Sequence, residues 1–140
     1  MAGLGNPIDK PTTFFVGMAA NLEDPKAAKV KVSKGVDFIQ TQPIFDVEIL
    51  SKFTKGISGL NVPVIAGILP LASLKHAEFI HNEVPGITIP EEVMGRMRKG
   101  TPDEGLKIAQ ELLNEIKGVC QGARIMPPFR KYEMIEKLIH

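Results

Sequence analysis

Polar side chains that could do chemistry gather at the end of one apolar run of the sequence. Thr41 and Gln42 follow Phe38 and Ile39, and Asp46 comes a few residues later, just before a helical pattern. Parallel α/β folds keep their binding and catalytic residues at the carboxyl ends of their strands. The position therefore predicts that Gln42 faces the functional site. The alternative is that Gln42 only forms a hydrogen bond to a neighbouring loop and has no functional role.

The cysteine and histidine residues do not add a second chemical centre. The chain has 3 His and 1 Cys, and they are scattered without the CxxC or HExxH spacing that zinc sites use. We therefore predict no metal site and assign no role to His76, His81 or Cys120. A lone cysteine excludes an internal disulfide framework and favours a reducing compartment.

Composition limits the classes of protein that the chain can be. Its 140 residues suit one domain with a core of its own, and 44% of them are hydrophobic. Seventeen basic residues against 16 acidic ones give a net charge of +1, and Lys26–Lys31 is the one local basic run, so no nucleic-acid partner is predicted.

No stretch of the sequence is suited to a membrane. The longest uncharged apolar stretch, 62–74, has 13 residues and contains two prolines and a glycine, which is too short and too broken to span a bilayer. The first residues lack the pattern of a signal peptide. The sequence therefore predicts a cytoplasmic protein without a membrane partner.

Apolar runs and helical patterns alternate along the chain. The predicted strands are 13–19, 37–42, 62–69 and 123–126. Predicted helix starts are the caps Asp24, Asp46 and Ser73, the two capping boxes that begin at Thr88 and Thr101, and a last helix over 131–139. Such alternation predicts a parallel sheet with right-handed crossovers.

Four stretches of the sequence carry a resemblance to a known family. They are Phe14–Asn21, Gly35–Asp46, Pro63–Leu71 and Asn82–Pro90. In this order they resemble methylenetetrahydrofolate reductases. The Asn-Glu-Val-Pro-Gly-Ile segment and the Pro-Phe-Arg-Lys-Tyr-Glu-Met ending are most similar to the reductase half of bifunctional homocysteine methyltransferase–methylenetetrahydrofolate reductase proteins.

The resemblance implies a fold and a reaction. Members of the family form an eight-stranded TIM-type β/α barrel that holds FAD, and the four strands here resemble its second half. Residues 1–140 would thus be a single half-barrel domain, with 1–12 as a lead-in loop. Reduced FAD passes a hydride to 5,10-methylenetetrahydrofolate and gives 5-methyltetrahydrofolate for methionine biosynthesis, and a nicotinamide cofactor or another donor reduces the flavin.

Three residues match substrate-binding positions of the family. Gln42 matches a Gln that bonds the folate pterin near the flavin. Phe79 matches an aromatic residue that packs on the substrate or the nicotinamide, and Arg130 lies near a residue that meets the folate tail. Helical spacing alone also explains Phe79 as a core residue.

Four residues match cofactor-binding positions. Ala19 and Asn21 fall where family members line the flavin, and Asp24 and Lys31 fall where they hold its ribose and phosphates. The segment from Asn21 to Lys31 is shorter than in typical members, and a Tyr is common at the position of Asn21. Asp24 is also explained as a helix cap, and Lys31 as a solvated lysine.

The resemblance also implies that important groups lie outside this segment. The family's catalytic Glu, a His and an Arg-Gly-Asp flavin segment belong to the N-terminal half, so no catalytic residue is assigned here. The chain alone is expected to be inactive, because general acid catalysis is worth about 10²–10⁴-fold. The alternatives are a non-catalytic half-barrel that binds folate or flavin or assembles with a partner subunit, and a truncated product without a role.

A four-stranded parallel sheet also predicts an exposed surface. It leaves two open edges, and we expect an inner face lined by apolar residues such as Ile39, Val64 and Ile68. A homodimer, a partner chain carrying the N-terminal half-barrel, or a rearranged compact sheet would cover that face.

Overall fold

The computed structural model describes residues 14–139, so the predicted lead-in loop 1–12 lies outside the described residues. Strands and helices alternate along this part of the chain. In order they are β1 (Gly17–Ala20), α1 (Pro25–Val32), β2 (Phe38–Pro43), α2 (Val47–Gly56), β3 (Val64–Ile68), α3 (Leu74–Glu83), α4 (Glu91–Lys99), α5 (Glu104–Ile116), β4 (Gly122–Ile125), a 3₁₀ turn (Pro128–Arg130) and α6 (Tyr132–Ile139). None of these helices is both long and apolar enough to cross a membrane.

The strands of residues 14–139 form one sheet in the order β1-β2-β3-β4, and each neighbouring pair is parallel. Sequential order with parallel pairing is the topology of consecutive β/α units in a barrel. The predicted fold class is therefore confirmed: an α/β fold consistent with part of a TIM-type barrel.

The first strand begins later than the sequence predicts. Phe14 and Phe15 are 78% and 72% exposed and lie before β1, which starts at Gly17. The reason is local, because the carboxylate of Asp37 accepts a hydrogen bond from Val16 N (2.7 Å) and takes the place of a strand partner there.

Three of the predicted helix caps are confirmed. The side chain of Asp24 accepts a hydrogen bond from Ala27 N (3.0 Å), and that of Asp46 accepts one from Glu48 N (2.9 Å). The side chain of Ser73 accepts a hydrogen bond from His76 N (3.1 Å). Each cap satisfies one of the amides that a helix start leaves without a partner, which fixes where α1, α2 and α3 begin.

Both predicted capping boxes are wrong. The caps of α4 and α5 are Pro90 and Asp103, and neither helix start has a side-chain cap hydrogen bond. In the second box the glutamate is used differently, because Glu104 accepts a hydrogen bond from Arg96 Nε (2.7 Å). That guanidinium also donates two hydrogen bonds to Glu111, so this cluster joins α4 to α5 instead of capping a helix.

One face of the sheet, which we call the covered face, packs against helices. Ile39, Val64 and Ile68 lie on it, and they are 0%, 2% and 0% exposed within a core that includes Phe53 and Leu50 of α2. The expectation that these three side chains line an open inner face is therefore wrong. Side chains alternate along a strand, and these positions share the helix side.

The opposite face of the sheet, which we call the open face, has a different composition. Its side chains include Phe38, Gln40, Ile65 and Arg124, which occupy the alternate positions of β2, β3 and β4. All four are half-buried or exposed. No helix of residues 14–139 covers this face, and its side chains are thus mixed and partly charged instead of uniformly apolar.

Candidate functional site

A cavity of about 430 Å³ lies at the carboxyl ends of β1 and β2, the edge where parallel β/α folds place their binding sites. Its floor is the small residues Ala19 and Ala20 at the end of β1, and its walls come from the turns that follow β1 and β2 and from the loop between α3 and α4. The lining residues include Asn21, Glu23, Lys31, Gln42, Phe45, Asp46, Ile49, Pro85, Gly86 and Thr88.

An irregularity in β2 orients the chain at this site. Gln40 pairs with Ile65 but Pro43 pairs with Gly67, so three steps along β2 match two along β3. The buried hydroxyl of Thr41 fills the resulting gap, because it accepts a hydrogen bond from Gly67 N (3.0 Å) and donates one to Gln42 O (2.8 Å). Bulges of this kind re-aim side chains next to sites, and Gln42 is the residue that follows.

Gln42 lies in the cavity wall beside Gly86 of the α3–α4 loop. A Cβ atom on Gly86 would lie 2.8 Å from the Gln42 Oε1 atom, and Gly86 has a φ of +81°. The backbone conformation favours a glycine here, and a side chain at this position would displace the Gln42 amide from its present place. Gly86 is not among the site residues predicted from the sequence, although the pair Pro85-Gly86 is a turn signal that could have identified the loop.

The turn after β1 is held by its own side chains. Asn21 Oδ1 accepts a hydrogen bond from Glu23 N (3.0 Å), so the carboxamide oxygen shapes the turn while the residue lines the cavity. Asp24 caps α1 and is not among the lining residues. The structure therefore gives Asp24 a local structural role and brings Asn21 to the cavity.

Charged and amide groups meet at the mouth of this cavity. Lys31 reaches it from the exposed side of α1, whereas Glu23 and Asp46 line it from the strand-end turns. Asp46 is already engaged as the cap of α2. The small apolar side chains of Ala19 and Ala20, the carboxamide of Gln42 and the ammonium of Lys31 together suit a ring that forms hydrogen bonds and carries an anionic group.

Two of the predicted site residues are not in this cavity wall. Phe79 lies on α3, is 55% exposed and does not line the cavity, so it does not belong to the core as helical spacing suggested. The side chain of Arg130 lies outside the described residues. The backbone of Arg130 follows β4 in the 3₁₀ turn, at the same edge of the sheet as the cavity.

A buried histidine at the same edge was assigned no role from the sequence. His76 is 6% exposed, its Nδ1 atom accepts a hydrogen bond from Ala72 N (3.0 Å), and its ring lies 4.8 Å from that of Phe129. Burial, and after it the positive charge of Lys131, lower the pKa of His76. His76 therefore joins α3 to the turns that follow β3 and β4.

Residues 14–139 contain no group of three or more His, Cys, Asp or Glu side chains that could hold a metal ion. The site described in this part of the chain consists of amide, ammonium, carboxylate and apolar groups. Those groups bind organic ligands through hydrogen bonds and ring contacts.

The fold and the cavity define the class of protein: parallel β/α units, consistent with part of a TIM-type barrel, with a binding site at the carboxyl ends of the strands. The family model for methylenetetrahydrofolate reductase matches residues 16–122, which is more than half of the chain. The chain belongs to the methylenetetrahydrofolate reductase family.

Two curated relatives support this assignment. The chain is 27% identical over 103 residues to methylenetetrahydrofolate reductase 1 of Schizosaccharomyces pombe, a match over 67% of this chain and 17% of the relative. It is 30% identical over 95 residues to methylenetetrahydrofolate reductase (NADH) 1 of Arabidopsis thaliana, over 63% of this chain and 16% of the relative. The matched segment thus spans only about a sixth of the length of these relatives.

Proposed function

We propose that this chain forms part of a cytoplasmic, flavin-dependent methylenetetrahydrofolate reductase that converts 5,10-methylenetetrahydrofolate to 5-methyltetrahydrofolate. The particular likeness to the reductase half of bifunctional homocysteine methyltransferase proteins belongs to the same proposal. The name of the Arabidopsis relative suggests NADH as the electron donor.

The observation that carries the proposal is the convergence of Ala19, Asn21, Lys31 and Gln42 on one cavity. These residues come from two strand ends and one helix, and the family resemblance independently assigns them to flavin and pterin binding. Family membership supports the same conclusion.

The cavity fits part of a flavin cofactor. Its volume of about 430 Å³ lies within the range of small-molecule sites, and the methyl side chains of Ala19 and Ala20 let a flat ring approach the strand ends closely. Lys31 would hold an anionic phosphate, and Asn21 would line the ring. The flavin, when bound, supplies the hydride.

Gln42 would orient the substrate. Its carboxamide can both donate and accept a hydrogen bond, as the pterin ring requires. The amide lies beside Gly86 in the α3–α4 loop, where the absence of a side chain leaves it space.

Flavin binding by the purified chain tests the cofactor role of the cavity. We expect weak binding of FAD, measured by the quenching of flavin fluorescence. Lys31→Ala should weaken this binding several-fold, because a phosphate of FAD loses its cation. Lys34→Ala is the matched control, since Lys34 is exposed just beyond α1 and does not line the cavity. Equal effects of the two substitutions would argue against a phosphate contact at Lys31.

Binding of 5-methyltetrahydrofolate tests the role of Gln42. A hydrogen bond to a neutral partner contributes about 0.5–1.5 kcal/mol, so Gln42→Ala should weaken binding by about 2- to 12-fold. Gln110→Ala on α5 is the control, because that residue does not line the cavity. Unchanged affinity in the Gln42 variant would remove the pterin contact from the proposal.

Turnover tests the need for a completing half-barrel. We expect no reductase activity from the chain alone, and recovery when a segment with the family's catalytic Glu and Arg-Gly-Asp residues is added. Full turnover by the purified chain would contradict that requirement. Flavin and folate binding without recovery of activity would favour the alternative, a non-catalytic half-barrel that binds these ligands or assembles with a partner subunit.

A further inference from the structure

A positively charged pair crosses the open face of the sheet. Arg124 Nη1 donates a hydrogen bond to Gln40 Oε1 (3.1 Å), so a side chain of β4 reaches over β3 to one of β2. Gly67 is level with Arg124 in the pairing of β3 with β4. The pair is the one charged feature among the strand positions of this face within residues 14–139.

The stagger of this pair matches the interior of a barrel. Gln40 is level with Ile65 in the pairing of β2 with β3, and Ile65 is level with Gly122 in β4. Arg124 is two residues further along β4, yet its side chain meets Gln40. A barrel with tilted strands has this stagger, and each of its interior layers takes side chains from alternate strands. Gln40 and Arg124 therefore belong to one layer of such an interior.

Among residues 14–139, the open face holds no group that neutralises Arg124. The other strand positions on it are glycine or apolar: Gly17, Ala19, Phe38, Ile65, Gly67 and Gly122. No carboxylate of residues 14–139 lies within ion-pair distance of the guanidinium. When a further layer covers this face, the charge leaves water, and an unpaired charge in that position is strongly unfavourable.

A second copy of the chain does not solve this problem. If two copies closed an eight-stranded barrel, their alternate strands would bring two Gln40 and two Arg124 side chains into one layer. Two like charges would then be enclosed together, and the described strand positions of the open face supply no acidic partner from either copy. The neutral carboxamides could accept hydrogen bonds but could not supply the negative charge.

We propose that the occupant of the open face is a β/α segment that places a carboxylate against Arg124, and that it is not a second identical copy. The inference rests on the completion of a barrel proposed above, but it concerns assembly and not ligand binding. Its partner chemistry is one Asp or Glu side chain in the layer of Gln40 and Arg124, able to form the paired hydrogen bonds that a guanidinium and a carboxylate make.

A charge-swapped copy of the chain is the probe. Wild-type chain and Arg124→Glu chain are studied separately and as an equimolar mixture by sedimentation velocity with interference detection, which suits a chain with 1 Tyr and no Trp. In the mixture the shared layer holds one guanidinium and one carboxylate. We expect a 1:1 complex with a Kd about 100-fold or more below that of either chain alone.

Two further variants control the experiment. Lys99→Glu makes the same change of charge on the exposed end of α4, and its mixture with wild type should behave like wild type alone. Arg124→Gln removes the like charges without adding a carboxylate, so its self-association should be about tenfold tighter than that of wild type. This second variant decides the question if circular dichroism shows that Arg124→Glu does not fold.

Three results would overturn the proposal. They are a wild-type homodimer as tight as the mixed complex, a mixture that stays monomeric, and an Arg124→Gln chain that associates no more than wild type. All three results are measured as association of chains. They can therefore be distinguished from a failure of flavin or folate binding.

Discussion

The covered face and the open face of the sheet are built on the same strands but serve different purposes. On the covered face, Ile39 and Ile68 are fully buried against helices in one continuous core. On the open face, Phe38 stacks on the exposed ring of Phe15 (5.3 Å), and Arg124 pairs with a neutral amide. The first face is buried in the core, whereas the described side chains of the second are half-buried or exposed.

Under the proposal above, this difference separates stability from assembly in a single sheet. Period-two alternation sends neighbouring residues to opposite faces, so a substitution at one position should affect one property and leave the other. Substitutions in β2 and in the helices that pack against the covered face can test that separation.

The largest difference is expected between two phenylalanines. Phe53→Ala removes a fully buried ring from α2 and should lower the free energy of unfolding by about 3–5 kcal/mol. Phe38→Ala removes a half-buried ring whose described aromatic partner is Phe15, and about 1 kcal/mol is expected. Urea unfolding of both variants measures the contrast, and equal losses would mean that the open face contributes to the core.

The next largest effect concerns the bulge in β2. Thr41→Val keeps the shape but leaves Gly67 N without its buried acceptor, so a loss of about 1–3 kcal/mol is expected. Thr54→Val is the control, because the Thr54 hydroxyl only donates to Ser51 O within α2. If the two substitutions cost the same, the hydroxyl of Thr41 does not support the irregular pairing.

The smallest effect is a dependence of stability on pH. Because the pKa of His76 is lowered in the folded state from its ordinary value of 6.5, the unfolded chain binds more protons in the interval between the two values. Stability should be full above the ordinary pKa and should fall as pH drops through that interval. Urea midpoints between about pH 8 and about pH 5 measure this slope.

Substitution of the same residue provides the control for this slope. His76→Gln should flatten the part of the pH dependence that His76 causes, whereas His81→Gln should leave that part in place, since His81 is exposed on α3. A slope that survives in His76→Gln would assign the pH dependence to other groups.

Much of the fold could be predicted because the signals are local. Asp24, Asp46 and Ser73 each lie directly before their helices, and a cap needs only the next few backbone amides. The two capping boxes failed because Glu104 has a partner on another helix, Arg96 of α4, which no local pattern contains. A tertiary ion pair outweighed the local alternative.

The candidate site was predictable only in part. A strand end marks Gln42 and Ala19, and the family resemblance adds Lys31 and Asn21, all of which line the cavity. Neither source indicated that the loop at Gly86 would approach Gln42, because that approach joins segments 44 residues apart.

The sequence by itself determined the alternation of strands and helices, the parallel sheet that follows from it, and the polar end of β2 at Gln42. These properties depend on hydrophobic periodicity and on side chains next to each other in the chain. Only the tertiary structure decided which face of each strand the helices cover, since the alternating pattern is compatible with either face. The tertiary structure therefore placed Ile39, Val64 and Ile68 in the core and Arg124 on the open face, where it bonds Gln40.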